Sequence, residues 1–248
     1  MFWCSISNLI LNVFQGNVTD SGSERAVVLF SGGQDSTTCL SWALEKFKYV
    51  ETIGFDYGQR HAIEMECRLN ILEKIRSFKK VWNSRLGEDT LLDLPVMGKV
   101  ANSALTRPMK ISAPGSGLPN TFVPGRNLLF FIMTASFIFD RNIETIIGGM
   151  CETDYSGYPD CRNKTIKSVE TTINLGIEKP FKIETPLMFL TKCQTWHLAE
   201  KLGGKKFVNL IIEDTHTCYL GNRDTYHDWG RGCGLCPACQ IRKVGYKQ

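Results

Sequence analysis

Two groups of residues in this sequence have the types and the spacing that chemistry requires. The first is Ser31-Gly-Gly-Gln-Asp-Ser-Thr-Thr38. It lies between Ala26-Val-Val-Leu-Phe30, an apolar run that reads as a buried strand, and a helical stretch from about Ser36 to Lys46. Two glycines let the backbone approach an anion closely. The free N–H groups of the helix start, with the hydroxyls of Ser31, Ser36 and Thr37, offer donors to phosphate. No G-x-x-x-x-G-K-[ST] pattern is present, so no loop lysine reaches toward a γ-phosphate. Asp35, an acid beside a phosphate site, calls for Mg²⁺ or for a hydrogen-bonding role.

The second group is Cys233-x-x-Cys236-x-x-Cys239, with Cys218 upstream. Four thiolates within 22 residues are the ligand set of a tetrahedral structural zinc site. A redox C-x-x-C does not call for the third and fourth cysteines. An iron–sulfur cluster is the other rival, but the spacing matches neither ferredoxin pattern. His216 and His227 flank the cluster as hydrogen-bonded loop residues rather than ligands. Of the other cysteines, Cys39, Cys67 and Cys193 fall on predicted helices, where a free thiol behaves as a small hydrophobe. Cys4 lies in an N-terminal extension, and Cys151 and Cys161 border a loop expected to be functional.

The elements that must position these groups alternate strand and helix. After the first strand and helix, Glu51 to Asp56 reads as a strand, and Ile63, Cys67, Ile71 and Ile75 mark one face of a helix. A Pro/Gly/Ser-rich stretch from Arg107 to Asn120 is a long loop of the kind that carries function. Leu128 to Phe139 predicts a core helix buried on most sides. A strand at Thr145–Gly149, a helix carrying Ile166, Val169, Ile173 and Ile177, and a strand at Phe181–Thr185 follow. Thr191 and Gln194 form a capping box for a helix that runs to Leu202 and stops at Gly203-Gly204. Beyond Glu213 the periodicity is lost. The alternation predicts an α/β fold: an open parallel sheet with helices on both faces, Rossmann-like, plus a small C-terminal zinc-binding segment. The division is an N-terminal extension over 1–24, a nucleotide-binding α/β domain over 25–212 and a zinc segment over 213–248.

Composition excludes several other classes. In 248 residues, 43% are apolar and 22% charged, which disfavours disorder and coiled coil. The net charge of +4 is too weak for a dedicated nucleic-acid binder. The N-terminal apolar stretch has no preceding Lys or Arg, so it is a poor signal peptide, and no run is long enough to span a bilayer. Ten cysteines in a chain large enough to bury its own core point to a reducing, cytoplasmic location rather than to a disulfide framework.

Ser-Gly-Gly-Gln-Asp-Ser resembles the loop of the ATP pyrophosphatases, which grip the β,γ-pyrophosphate while a substrate oxygen attacks the α-phosphate. Three further segments extend the likeness: Phe55-Asp-Tyr-Gly-Gln-Arg-His61, Thr121-Phe-Val-Pro-Gly-Arg-Asn127 and Glu152-Thr-Asp-Tyr-Ser-Gly-Tyr-Pro-Asp-Cys-Arg162. With Cys218-Tyr219 and the C-terminal cysteines, they resemble the 7-cyano-7-deazaguanine synthase family, from Arg25 to about Tyr246. Two features depart from the family pattern: the first twenty-odd residues have no counterpart, and the gap from Cys218 to Cys233 is longer than the commonest form.

The resemblance implies an adenine nucleotide α-hydrolase type of fold and an ATP site at Phe30, Ser31, Gly32, Gly33, Gln34, Asp35, Ser36, Thr37, Thr38, Cys39 and Leu40, joined by Arg60 and Arg126. It implies 7-carboxy-7-deazaguanine as substrate, held by Tyr57, Asp154, Tyr155, Tyr158, Asp160 and Arg162, and His61 as the best candidate for proton transfer. Arginine forks suit phosphate and carboxylate alike, and tyrosines can stack on the flat base. The implied cofactors are Mg²⁺ with ATP and one structural Zn²⁺ on Cys218, Cys233, Cys236 and Cys239. The implied partners are small molecules, with free ammonia as the nitrogen source, no nucleic acid, no membrane, and a homodimeric state. Conversion of an acid to a nitrile removes two oxygens, which implies two successive adenylations, through the amide. Two alternatives remain open: another ATP-pyrophosphatase-loop enzyme, such as a tRNA-thiolating enzyme or an amide-forming ligase, and a zinc-ribbon nucleic-acid module fused to a nucleotide-sensing domain.

Overall fold

The computed structural model describes residues 24–112, 117–153 and 157–248. Nearly all of the N-terminal extension, with Cys4, and the candidate substrate residues Asp154 and Tyr155 lie outside the described residues. Five strands form one parallel sheet: β1 (Arg25–Leu29), β2 (Tyr49–Asp56), β3 (Leu86–Asp93), β4 (Thr145–Ile147) and β5 (Lys182–Glu184), in the order β3-β2-β1-β4-β5. β1 is central, with Ala26 beside Val50 on one flank and beside Thr145 on the other. The chain winds outward from β1 through β2 to β3, then returns to lay β4 on β1's free side. That reversal opens a crevice at the carboxyl ends of β1 and β4, the position where open α/β sheets bind ligands.

Alternation along β1 divides the core. Ala26, Val28 and Phe30 pack on one face with α1 (Gln34–Lys46), α2 (Ile63–Phe78), α3 (Lys80–Arg85) and the helix α7 (Lys192–Asp214). Val27 and Leu29 pack on the other face with α5 (Arg126–Phe137) and α6 (Asn163–Ile177). A short helix, α4 (Pro95–Val100), precedes the long loop. Cys39, Cys67 and Cys193 are buried core positions. The capping box at the head of α7 is formed: the Thr191 hydroxyl accepts from the Gln194 backbone N–H, and the Gln194 side-chain Oε1 accepts from the Thr191 N–H.

Three local readings of the sequence differ from the structure. The apolar helix expected at Leu128–Phe139 is α5, and it is buried along one stripe only, through Phe131, Thr134 and Ala135. Ile132 and the following Phe139 are exposed, because this helix covers one face of the sheet and has no second layer over it. Gly204, in left-handed backbone at φ 66°, does interrupt the helix begun at Thr191, but helical chain resumes and reaches Asp214. The boundary drawn between 212 and 213 therefore falls within α7. The segment beyond it carries a helix of its own, α8 (Pro237–Lys247), packed on α7 through Arg242 and Gly245. The residues from Tyr226 to Arg231 form a two-stranded ribbon of β6 (Tyr226–His227) and β7 (Gly230–Arg231).

Candidate active site

The loop after β1 turns at Gly32, where φ is +81°. A Cβ there would lie 2.9 Å from the Arg68 backbone nitrogen and 3.0 Å from the Glu64 carbonyl oxygen, so only glycine lets this turn lie against α2. Gly33 caps α1 in extended conformation without a side chain. The two serines brace each other: their hydroxyl oxygens are 3.2 Å apart, and the Ser36 hydroxyl also approaches the Gly33 carbonyl oxygen at 3.1 Å. Behind the loop, the buried Arg68 donates to the Phe30 carbonyl, the Thr90 carbonyl and the Asp89 carboxylate. It joins β1, β3 and α2 into a rigid back wall.

This loop opens on a cavity of about 340 Å³, within the range of small-molecule sites. Phe30, Ser31, Gly33, Gln34, Asp35 and Ser36 line its phosphate end, and Tyr57, Arg60, His61, Arg126 and Tyr158 line the rest. The remaining nucleotide-loop candidates do not face it. Thr37 and Thr38 are fully buried in α1, and their hydroxyls donate to the Gly33 and Gln34 carbonyls at 2.8 and 2.9 Å. Cys39 and Leu40 are core residues one turn further on. A helix start offers its N–H groups and first side chains to a ligand, whereas later residues turn inward with the 3.6 period. The Thr37 hydroxyl, expected to face a phosphate, is instead committed to the Gly33 carbonyl.

Among the substrate candidates, Tyr57 and Tyr158 are buried, and the Tyr158 hydroxyl donates to Thr121 Oγ1 at 2.7 Å. Asp160 lies beside the head of α5, where one carboxylate oxygen accepts from the Asn127 N–H at 3.2 Å. Arg162 is exposed at the head of α6 and does not line the cavity. His61 lines it, with Nε2 buried and unpartnered. Burial, with Arg60 beside it, lowers the imidazole below its ordinary value, which leaves a neutral ring. Gln34 Nε2, Arg126 Nε and His216 Nδ1 are likewise buried donor or acceptor atoms with no partner, a cost ordinarily met by a ligand. Cys151 and Cys161 also line the cavity.

Two charged residues in the cavity were not singled out from sequence. Lys192 reaches across from α7 and holds both Asp35 carboxylate oxygens at 2.8 Å. It places a cation beside the loop, which itself has none, and pairs it with Asp35. A basic residue in the first turn of a capped helix opposes the helix dipole, and that was the available signal. Glu64 lies in the first turn of α2, facing Arg126. Burial pushes its carboxyl up to about 7, against the pull of Arg126. Its signal was a charged i,i+4 pair with Arg68 on a helix face otherwise expected to be apolar.

The four C-terminal cysteines come together: the sulfurs of Cys218, Cys233, Cys236 and Cys239 all lie within 4.8 Å of one another. Tetrahedral Zn–S bonds of about 2.3 Å set sulfurs roughly 3.8 Å apart, and Cys233 and Cys239 stand at 4.0 Å. The N–H groups of Leu235 and Cys236 donate to the Cys233 sulfur, and the Cys233 N–H donates to that of Cys218, as thiolate ligands require. The cluster can hold a metal ion. His227 instead bonds Gly232, and His216 bonds the Cys218 carbonyl. This segment also touches the phosphate loop: the His216 N–H donates to the Gly32 carbonyl at 3.2 Å, and Arg242 ties α8 to Ile211, Thr215 and Thr217.

Residues 25–248 match the family model described as queuosine biosynthesis protein QueC. The chain belongs to that family. Curated members named 7-cyano-7-deazaguanine synthase resemble it over nearly their whole length. The one from Leptothrix cholodnii is 58% identical over 90% of this chain and 95% of its own. The one from Janthinobacterium sp. (strain Marseille) is 54% identical over 91% and 96%. Among solved structures, a 4-thiouridine synthetase in complex with RNA and bound ATP superposes with a TM-score of 0.51 at 14% identity. That match covers 90% of this chain and 50% of the other, and it is a likeness of fold. Among the described residues, no helix is long and apolar enough to cross a membrane.

Proposed function

We propose that this family member converts 7-carboxy-7-deazaguanine and ammonia to 7-cyano-7-deazaguanine, using ATP twice. The observation that carries the reading is one cavity with two ends. A lysine-backed serine–glycine loop at the sheet's switch point forms one end, and a pocket of Tyr57, Arg126 and Tyr158 forms the other. Its relatives' shared name supplies the product.

Ser31, Gly33 and Ser36 would hold the pyrophosphate, with Lys192 beside them to offset the charge that develops as it leaves. Mg²⁺ would travel with the triphosphate and neutralise it. Gln34 Nε2 and Arg126 Nε are free to donate to nucleotide or acid oxygens. Both acceptors, acid and amide, present an oxygen to the same α-phosphorus, so one geometry serves both activations, and the chain's part is mainly positioning. The cysteine cluster would hold one structural zinc. A cytoplasmic homodimer using ammonia from solution completes the reading, and light scattering gives its mass.

Incubation with ATP, ammonium and 7-carboxy-7-deazaguanine, followed by mass analysis of the base, tests the reaction. Nitrile with about two pyrophosphates per turnover is expected; a product that stops at the amide overturns it.

A further inference from the structure

The acid in the cavity has no task in the reading above, and its position suggests one. Glu64 lines the same cavity as the Ser31–Ser36 loop, Tyr57 and Arg126. Its backbone carbonyl lies against the Gly32 turn, and its carboxylate feels the charge of Arg126. The side chain is half-buried, and among the described residues no hydrogen bond to its carboxylate is formed, so the group is open to a ligand in the cavity. The groups that feel it are Arg126 from α5, Tyr57 from the segment after β2 and Cys67 one turn along α2; Tyr158 and Tyr219 lie beyond Arg126, and His61, just before the same helix, lines the same cavity. Arg126 is thus the charge closest in effect, and it is shared with the tyrosines and Asp160.

The second half of the reaction needs a proton acceptor in this cavity. The amide oxygen attacks the α-phosphorus and pyrophosphate leaves. The adenylated amide then carries two N–H bonds and a positive charge. Loss of one proton gives the neutral imidate. Breaking the C–O bond next sends that electron pair away with AMP, while the last N–H bond gives up its pair to the third C–N bond. Two protons leave one nitrogen, and AMP keeps the oxygen, so the step balances without an oxidant or reductant. Resting on the proposed nitrile synthesis, we propose that Glu64 is the catalytic base that takes the nitrogen-bound proton as the adenylated amide collapses to nitrile. A carboxyl that titrates near neutrality can accept this proton and return it to water between turnovers. His61, lowered by burial and Arg60, is the rival acceptor in the same cavity.

The test starts from the 7-carboxamide of the deazaguanine, with Mg·ATP, and follows nitrile and AMP across pH 5.5–9. The native protein is expected to gain rate through a midpoint near 7. Glu64→Gln should lose about 100-fold or more and lose that midpoint, while ATP affinity stays within a few-fold. Glu64→Asp should keep partial rate with a displaced midpoint. A second readout is independent of activity. The penalty of a raised carboxyl begins as pH climbs through its unfolded value of about 4.3 and is complete above its folded one, so Glu64→Gln should melt higher than native at pH 8.5 but not at pH 3.5. Glu64→Gln retaining the native rate and midpoint overturns the proposal, as does loss of the midpoint in His61→Gln alone. Failure of the native protein to make nitrile from either acid or amide overturns the underlying reaction instead, a result visible before any variant is compared.

Discussion

Replacing Gly32 with alanine separates two consequences of one methyl group. At φ +81° an L-residue pays the left-handed penalty, about 1–2 kcal/mol. The added Cβ must also displace backbone of α2, with three atoms at 2.9–3.1 Å. Overpacking of that kind costs about 1–3 kcal/mol more. Gly204→Ala is the control. It too has positive φ, with φ +66° and ψ −171° in a region only glycine enters readily, at a cost of about 1–3 kcal/mol, and nothing lies within 4 Å of the new methyl. With about 2–4 °C of melting temperature per kcal/mol in a domain of this size, Gly204→Ala should fall by about 2–12 °C and Gly32→Ala by about 4–20 °C. The two must differ more sharply in catalysis. Gly32→Ala moves the phosphate loop away from α2, and misplacement on the ångström scale costs about 100-fold, whereas Gly204 is remote from the cavity. Calorimetry and a coupled pyrophosphate assay on both proteins report the two quantities. Equal melting temperatures with undiminished turnover in Gly32→Ala would refute the argument that the loop depends on contact with α2.

Four other outcomes follow from the same contacts. Ser36→Ala should abolish pyrophosphate release while the circular dichroism spectrum stays native, since the hydroxyl braces the loop locally from the first turn of α1. Lys192→Gln should raise the KM for ATP by about 10- to 100-fold, the equivalent of one charged hydrogen bond, as measured by initial rates. Cys236→Ser should lose metal and soluble protein together, because structural zinc supplies roughly 10–16 kcal/mol of folding free energy; metal analysis of a folded, active, metal-free variant would contradict this. Burial raises the Glu184 carboxyl, but Lys182 and Lys46 outweigh it and hold the group below its ordinary value. Stability from this group is therefore complete above its unfolded pKa of about 4.3 and is lost as pH falls toward the lower folded one. Urea midpoints of Glu184→Gln should fall less than native ones between pH 5 and pH 3, by an amount on the order of 1 kcal/mol.

Much of this molecule was written locally. The strand–loop–helix around Ser31–Ser36, the capping box at Thr191 and the cluster of Cys233, Cys236 and Cys239 each reveal themselves within a few residues, and the structure brings each together. What escaped is set by distance along the chain. Lys192 meets Asp35 across 157 residues, and neither residue announces the other. β3 carries alternating exposed positions with Gly87, Glu88 and Asp89, so this edge strand looks like loop in the sequence. Asp160 meets the head of α5 across 33 residues, a contact that only the tertiary arrangement makes. Arg162, similarly, lies one residue beyond the turn that faces the cavity.

The hydrogen bond from His216 to the Gly32 carbonyl makes the cysteine cluster and the phosphate loop parts of one thermodynamic system. Ordering the chain around a metal at Cys218 fixes His216 two residues earlier, and with it the outer wall of the loop that would receive ATP. A metal and a nucleotide held at these two places would then change each other's affinity by equal factors without touching, because coupling between binding sites is reciprocal. A chelator would weaken nucleotide binding before the protein unfolds, and saturating nucleotide would slow the loss of metal by the same measure. The cysteine cluster would thereby act as an effector site for the nucleotide as well as a staple for the fold.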